Sequence, residues 1–265
     1  MPLIVSPSGR RYGRSKPAPL PAHRMISRAA TGLPAVVDLR KWCGPIKDQG
    51  DLGSCTGHAF SSAMEWIFRK YLGKQPILSP LYLYAKELIA DGDFPNDDGS
   101  TGVTGSNVAI ANGCCEDSLY PDASQTIEQP TPEMDANAAE YRMGAYHGLS
   151  SSLVAQSVLG DPTPWPVEIG FTVYQSFESD AVAKTGIMPV PASREAVLGG
   201  HEVLIVGYDL DSTPTIRPAD CPPCFIVQNS WAESWGDKGF FYMPVEILDA
   251  ADTDLKIVHA GAPWK

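Results

Sequence analysis

Between Ser54 and Gly73 the apolar residues Ala59, Phe60, Ala63, Met64, Ile67, Phe68 and Tyr71 recur at helical spacing. A helix is expected from Ser54 to Leu72, with the Ser54 side chain as its N-cap and Gly73 as its stop. Cys55 then falls in the first turn. The positive end of the helix dipole favours thiolate over thiol there, and the thiolate is the nucleophile. A nucleophile fixed at a helix start needs a base and an oxyanion donor from elsewhere in the chain.

Both are present as candidates. Residues 199–209, Gly-Gly-His-Glu-Val-Leu-Ile-Val-Gly-Tyr-Asp, form an apolar run expected to be a buried strand, with His201 near its start. Residues 224–231, Cys-Phe-Ile-Val-Gln-Asn-Ser-Trp, read as a second buried strand ending at Asn229. A neutral amide there accepts the second ring N–H of a histidine and fixes its tautomer, the Cys-His-Asn form of the triad. Gln49, shortly before Cys55, offers a side-chain N–H to an oxyanion beside the backbone N–H of Cys55. His58 lies one turn along the same helix as Cys55 and is expected to be structural. His23, His147 and His259 carry no motif.

These segments together resemble the papain family of cysteine peptidases. The resemblance rests on Gln49 to Phe60, on Gly113-Cys114-Cys115-Glu116-Asp117-Ser118-Leu119-Tyr120-Pro121, on His201 to Asp209, and on Asn229 to Phe240. It spans roughly Leu33 to Tyr242 with the motifs in the family's order. Asn229 comes late, which a loop from Leu210 to Pro223 accounts for. The resemblance implies an α+β fold of two subdomains with the active site in the cleft between them. A helical subdomain is expected at residues 47–120 and an antiparallel β-barrel-like one at 121–245, within a peptidase domain of residues 34–265. It implies that Trp231 covers the Asn229–His201 bond at the edge of the substrate site, and that Gly99 and Ser100 pair with the backbone of an extended substrate. It implies no cofactor.

The sequence also departs from the family. Leu52 stands where a cysteine is usual, so one familiar disulfide cannot form, and Thr56 stands where tryptophan is usual. Asp98-Gly99-Ser100-Thr101-Gly102 replaces a Cys- and Gly-rich segment, and Glu202 follows His201 where a small residue is common. In these departures the chain resembles the disulfide-poor, bacterial-type branch of the family.

Composition narrows the partners. The chain of 265 residues has 20 basic and 31 acidic side chains, a net charge of −11, which argues against nucleic acid. The charge is uneven: residues 1–33 hold Arg10, Arg11, Arg14, Lys16, Arg24 and Arg28, no acid and repeated prolines. This arm is expected to be either a disordered tail or a short propeptide lying in the cleft of the acidic body in cis. No run of about 18 apolar residues is present and no Sec signal is seen, so no membrane span is expected. A cytoplasmic location or leaderless export, reduced thiols and a monomer are the expectations.

Beyond the first helix, one is expected from Ser79-Pro80 to Asp91-Gly92 and another from Gly105 to Asn112. Strands are expected at Val167–Tyr174, His201–Tyr208, Phe225–Asn229 and Gly239–Met243. Cys221-Pro222-Pro223-Cys224 is a single CxxC, short of the four ligands of a structural zinc, and is read as free thiols. Cys114 and Cys115 are read as structural thiols. Asp91, Asp93, Asp97 and Asp98 do not have EF-hand spacing, so no metal is assigned. The function expected is hydrolysis of a peptide or protein substrate by a cysteine endopeptidase. An exopeptidase, a transpeptidase and a non-catalytic peptide-binding protein remain open.

Overall fold

The computed structural model describes residues 5–16, 18, 20, 25–249 and 253–260. His23 and Arg24 lie outside the described residues, as does the side chain of His259.

Helix α1 (Cys55–Leu72) is buried continuously from Cys55 to Phe68. A helix covered on all sides is a core element rather than a surface one. Helix α2 (Pro80–Asp91) and α3 (Gly102–Ala111) pack on it. The expected signals set these ends. Gly73 closes α1 in the left-handed conformation, φ 63°. The Ser79 hydroxyl accepts the Tyr82 N–H ahead of Pro80, and Gly92 closes α2 at φ 83°. Helix α3 begins three residues earlier than its pattern suggests because Thr101, whose hydroxyl accepts the Thr104 N–H, caps it.

The start of α1 differs from expectation. Ser54 occupies the N-cap position, yet its side chain caps no backbone N–H. Its Oγ lies 3.2 Å from His58 Nδ1, so the side chain is engaged by the imidazole one turn on.

The second half holds most of the sheet and several short helices. Its elements are α4 (Pro132–Ala138), β3 (Met143–Leu149), α5 (Ser152–Leu159), β4 (Val167–Tyr174), α6 (Asp180–Thr185), β5 (Val197–Asp209), β6 (Cys224–Gln228), β7 (Phe240–Pro244), α7 (Val245–Leu248) and β8 (Asp254–Ala260). Two short strands precede α1: β1 (Met25–Ile26) and β2 (Val36–Asp38). The sheet runs β1-β3-β8-β4-β5-β6-β7, with β2 also on β5. Only the β1–β3 pair is parallel among the described residues. The expected barrel is therefore corrected to an open sheet: the described edges β1 and β7 do not pair with each other. Strands β3 and β8 and helices α4 and α5 escaped the sequence reading. In β3 the apolar residues are broken by Gly144, Gly148 and His147, which blurs a two-residue period.

Strand β5 is the hinge of the architecture. Its first part pairs with β4 and its second with β6 and β2, so one element carries His201 and also anchors the strand that leads to Asn229. The intervening loop is held by a buried ion pair. Asp209 Oδ2 accepts the N–H groups of Thr215, Ile216 and Arg217, and Asp209 Oδ1 meets Arg217 Nη1 at 2.5 Å. No helix among the described residues is long and apolar enough to cross a membrane.

Candidate active site

Helix α1 and strand β5 pack together and bring Cys55 and His201 to one place. The backbone N–H of Glu202, the residue after His201, faces the Cys55 thiol and lowers its pKa against the effect of burial. Both side chains are fully buried.

The tautomer of His201 follows from its neighbours. Its Nε2 lies 2.8 Å from Asn229 Oδ1, and the Ser230 backbone N–H lies 2.9 Å from the same atom. A backbone N–H is always a donor, so the Asn229 atom it meets is the oxygen. That oxygen also faces Nε2, so neutral His201 carries its proton on Nε2. The lone pair sits on Nδ1, which has no hydrogen-bond partner among the described residues. Trp231 stacks on the imidazole with ring centroids 4.9 Å apart and planes 21° apart. Trp235 and Phe177 brace the indole in turn. This apolar cover keeps water from competing for the His201–Asn229 bond.

Gln49 is also fixed. Its Oε1 accepts the Ser230 hydroxyl at 2.6 Å, and its Nε2 donates to the Leu52 carbonyl at 2.9 Å. The amide has two hydrogens, and Leu52 takes one. His58 stands apart from this group: Nδ1 lies 2.9 Å from the Ser54 carbonyl oxygen, and Nε2 lies 3.0 Å from Asp122. Thr56, on the next position of the helix, donates to the buried Glu87, whose pKa burial pushes up to about 8.

The arm lies across this site. Tyr12 packs edge-on to His201, centroids 6.0 Å apart, and to Trp231 at 6.2 Å. The Arg10 guanidinium sits 4.3 Å from the Trp231 ring centre. Residues 13–15 run between two walls. Arg14 N–H donates to the Gly200 carbonyl at 3.1 Å; Ser15 N–H donates to Ser100 O and Ser100 N–H to Gly13 O, each at 2.7 Å. Gly99 and Ser100 line an extended chain, which in this structure is the protein's own. Tyr12 and Ser8 both donate to Glu178 on the far side, and Arg11 pairs with Asp97 at 3.0 Å. Of the alternatives for the arm, the disordered tail is not what residues 10–15 adopt.

Burial sets the direction in which both groups shift. It pushes the Cys55 thiol up to about 12 and the His201 imidazole down to about 4. The helix dipole alone favours a thiolate at Cys55; desolvation works against it and favours the neutral form of each group.

The remaining sequence candidates have local roles. Asp97 receives the Gly53 N–H and the Tyr84 hydroxyl, and Asp91 receives Ser100 and Thr104. Cys221 and Cys224 are both free, their sulfurs 3.7 Å apart. Sequence reasoning missed Tyr12, Gly13, Gly170, Glu178 and Asp254, because nothing in their local patterns links them to Cys55, and it named Arg14 only as one charge of the arm.

A family profile described as papain family cysteine protease matches residues 33–252. The chain belongs to that family. It is 28% identical over 220 residues to an uncharacterized peptidase C1-like protein of Acanthamoeba polyphaga mimivirus, covering 78% of this chain and 66% of that one. It is 30% identical over 219 residues to cathepsin C of Schistosoma mansoni, covering 74% of this chain and 43% of that one. The first three relatives are spanned over 66%, 52% and 63% of their lengths. Among solved structures the fold matches xylellain, a cysteine protease from Xylella fastidiosa, with a TM-score of 0.77 at 23% identity, covering 95% of this chain and 97% of that one. It also matches the precursor of stem bromelain, with a TM-score of 0.70 at 17% identity, covering 90% and 75%.

Proposed function

We propose that this papain-family chain is a cysteine endopeptidase, with Cys55 as nucleophile, His201 as base and then acid, and Asn229 as the group that orients His201. The observation that carries this reading is the tautomer of His201. With Nε2–H committed to Asn229, Nδ1 is left to take the thiol proton.

The chemistry then follows from the residues. Transfer of the Cys55 proton to Nδ1 gives a thiolate and an imidazolium, whose remaining N–H stays on Asn229. The thiolate attacks a peptide carbonyl carbon, and the carbonyl π electrons move to oxygen. The second hydrogen of the Gln49 amide and the Cys55 backbone N–H stabilise that oxyanion. Collapse expels the amine, which takes the proton from His201. Water, deprotonated by Nδ1, then cleaves the acyl-enzyme and returns the thiol.

We infer that residues 10–15 hold this machinery latent. They fill the space a substrate needs, and their cover keeps the ion pair from forming. Charge complementarity supports the reading: Arg10, Arg11 and Arg14 meet an aromatic face or carboxylates on an acidic body.

The test is digestion of a diverse peptide mixture, read by mass spectrometry, by the full-length chain carrying Gly13→Ala, with and without Cys55→Ala. Internal cuts that vanish with Cys55→Ala are expected. Trimming from an end replaces the endopeptidase with an exopeptidase, ligated products replace it with a transpeptidase, and no product from either chain overturns catalysis.

A further inference from the structure

Cys221 and Cys224 stand at the end of the loop that Asp209 and Arg217 hold, and the backbone fixes both. The Cys221 N–H donates to the Pro218 carbonyl at 3.0 Å, and the Cys221 carbonyl accepts Arg217 Nε at 2.9 Å. Cys224 is the first residue of β6, in register with Asp209 on β5 at one side and with Pro244 on β7 at the other. Pro222 and Pro223 join the two with restricted φ and no N–H to donate. The sulfurs are held 3.7 Å apart, in hydrogen-bond contact. A disulfide needs about 2.05 Å, so a small side-chain movement closes it.

The two thiols differ in character. Cys224 is fully buried, whereas Cys221 keeps 4% of its surface open, between the exposed Asp220 and Pro222. The hydrogen bond with Cys224 is the largest influence on Cys221 and brings its pKa below the ordinary thiol value. Burial opposes that shift, the Arg217 guanidinium supports it, and Asp220 and Asp209 oppose it. The same contact, together with burial, raises Cys224. Burial also raises Cys43, Cys55, Cys114 and Cys115. Cys221 is thus the one cysteine of the six whose surroundings favour the thiolate, and Cys224 is placed to resolve what Cys221 binds.

We propose that Cys221 and Cys224 are a redox-active dithiol, separate from the peptidase site, that exchanges with low-molecular-weight disulfides. The Cys221 thiolate attacks one sulfur of an external disulfide, RSSR. A Cys221–SR bond forms, the RS–SR bond breaks, and RS− leaves and takes up the proton that Cys221 lost. The Cys224 thiol then gives up its proton and attacks the Cys221 sulfur. The Cys221–SR bond breaks, and the second RS− takes that proton. One internal disulfide and two RSH result: the protein loses two electrons and two protons, and the external disulfide gains both. Asp209, opposite Cys224, ends β5 and lies roughly 25 Å along that strand from His201. Exchange at this pair therefore needs nothing from Cys55.

The experiment incubates the full-length chain carrying Cys55→Ala, at neutral pH, with mixtures of mercaptoethanol and hydroxyethyl disulfide. Acid quenching, alkylation and mass spectrometry of the peptides then report the free thiol at each cysteine. As the disulfide fraction rises, Cys221 and Cys224 are expected to lose alkylation together, as one internal bond, and to regain it in excess dithiothreitol. They should react at least about tenfold faster than Cys43, Cys114 or Cys115. Cys224→Ser is expected to stop at a mercaptoethanol adduct on Cys221. Cys221→Ser is expected to slow reaction at Cys224 by about tenfold or more. The chain with both cysteines gives the first readout, so a variant that fails to fold does not decide the outcome. Two free thiols in every mixture, an adduct that persists on Cys221 beside an intact Cys224, or oxidation no faster than at the other cysteines overturns the proposal. With Cys55 removed, no outcome depends on the peptidase reading.

Discussion

Gly13 of the arm lies directly against Gly53, two positions before Cys55: a Cβ on Gly13 would stand 1.8 Å from the Gly53 carbonyl oxygen. The same strand touches the opposite wall, where a Cβ on Gly99 would stand 1.8 Å from the Gly13 carbonyl oxygen. Both close approaches involve backbone, which cannot swing aside as a flexible side chain can. Gly13→Ala is therefore expected to lift the arm from the site. The check is the rate of Cys55 alkylation at neutral pH, which should rise about tenfold or more as the buried thiol becomes exposed and ionises more readily. An unchanged rate would show that the arm seats by another route.

Asn229 holds His201 through one hydrogen bond beneath Trp231. In a chain opened by Gly13→Ala, Asn229→Ala removes the acceptor and frees the ring to rotate. We expect kcat to fall by about 100-fold with KM little changed, since general acid–base catalysis contributes on that scale. Trp231→Ala should lower kcat by a smaller factor, because the bond remains but water reaches it. Steady-state kinetics on one peptide separates the two.

Glu178 anchors the arm through Tyr12 and Ser8, with Arg10 nearby. Burial raises its pKa, but those donors and the Arg10 charge outweigh burial and bring it below the ordinary carboxylate value. A depressed folded pKa means that the anchor is at full strength above the unfolded pKa and is lost as pH falls through the folded one. Acid is thus expected to loosen the arm below about pH 4, read as faster Cys55 labelling relative to a neutral-pH control corrected for thiol ionisation. Glu178→Gln should give a loosened arm at every pH and shrink the acid step, the Arg11–Asp97 pair remaining.

Asp209 and Arg217 form a buried pair that shapes the loop between β5 and β6. Burial works against the Asp209 carboxylate, yet three backbone N–H groups and Arg217 hold its pKa below the ordinary value. Asp209→Ala leaves the Arg217 charge buried and should cost about 3–5 kcal/mol, measured by urea denaturation. The contribution is present at neutral pH and is lost on acidification below the usual carboxylate range. A loss under about 1 kcal/mol would mean that Arg217 finds water or another partner.

Much of this architecture is legible along the chain. Cys55, His201, Asn229 and Gln49 stand in local patterns that mark a helix start, two buried strands and a loop, and the structure brings them together. The caps at Ser79, Gly73 and Gly92 act through nearest neighbours, so sequence suffices for them. Ser54 is the exception, because the buried His58 one turn on engages its hydroxyl.

The sequence by itself determined which residues could react, since helix periodicity, apolar strands and the types of side chain at their ends are local properties. The tertiary structure decided whether they are ready to. Burial, working against the helix dipole, pushes Cys55 up to about 12 and His201 down to about 4. Gly170 stands in register with Glu202 and Asp254 beside Arg14 of the arm only through pairing of three strands far apart in the chain. Burial and register are long-range quantities: each depends on what lies across the cleft or on the next strand, and no local pattern encodes that.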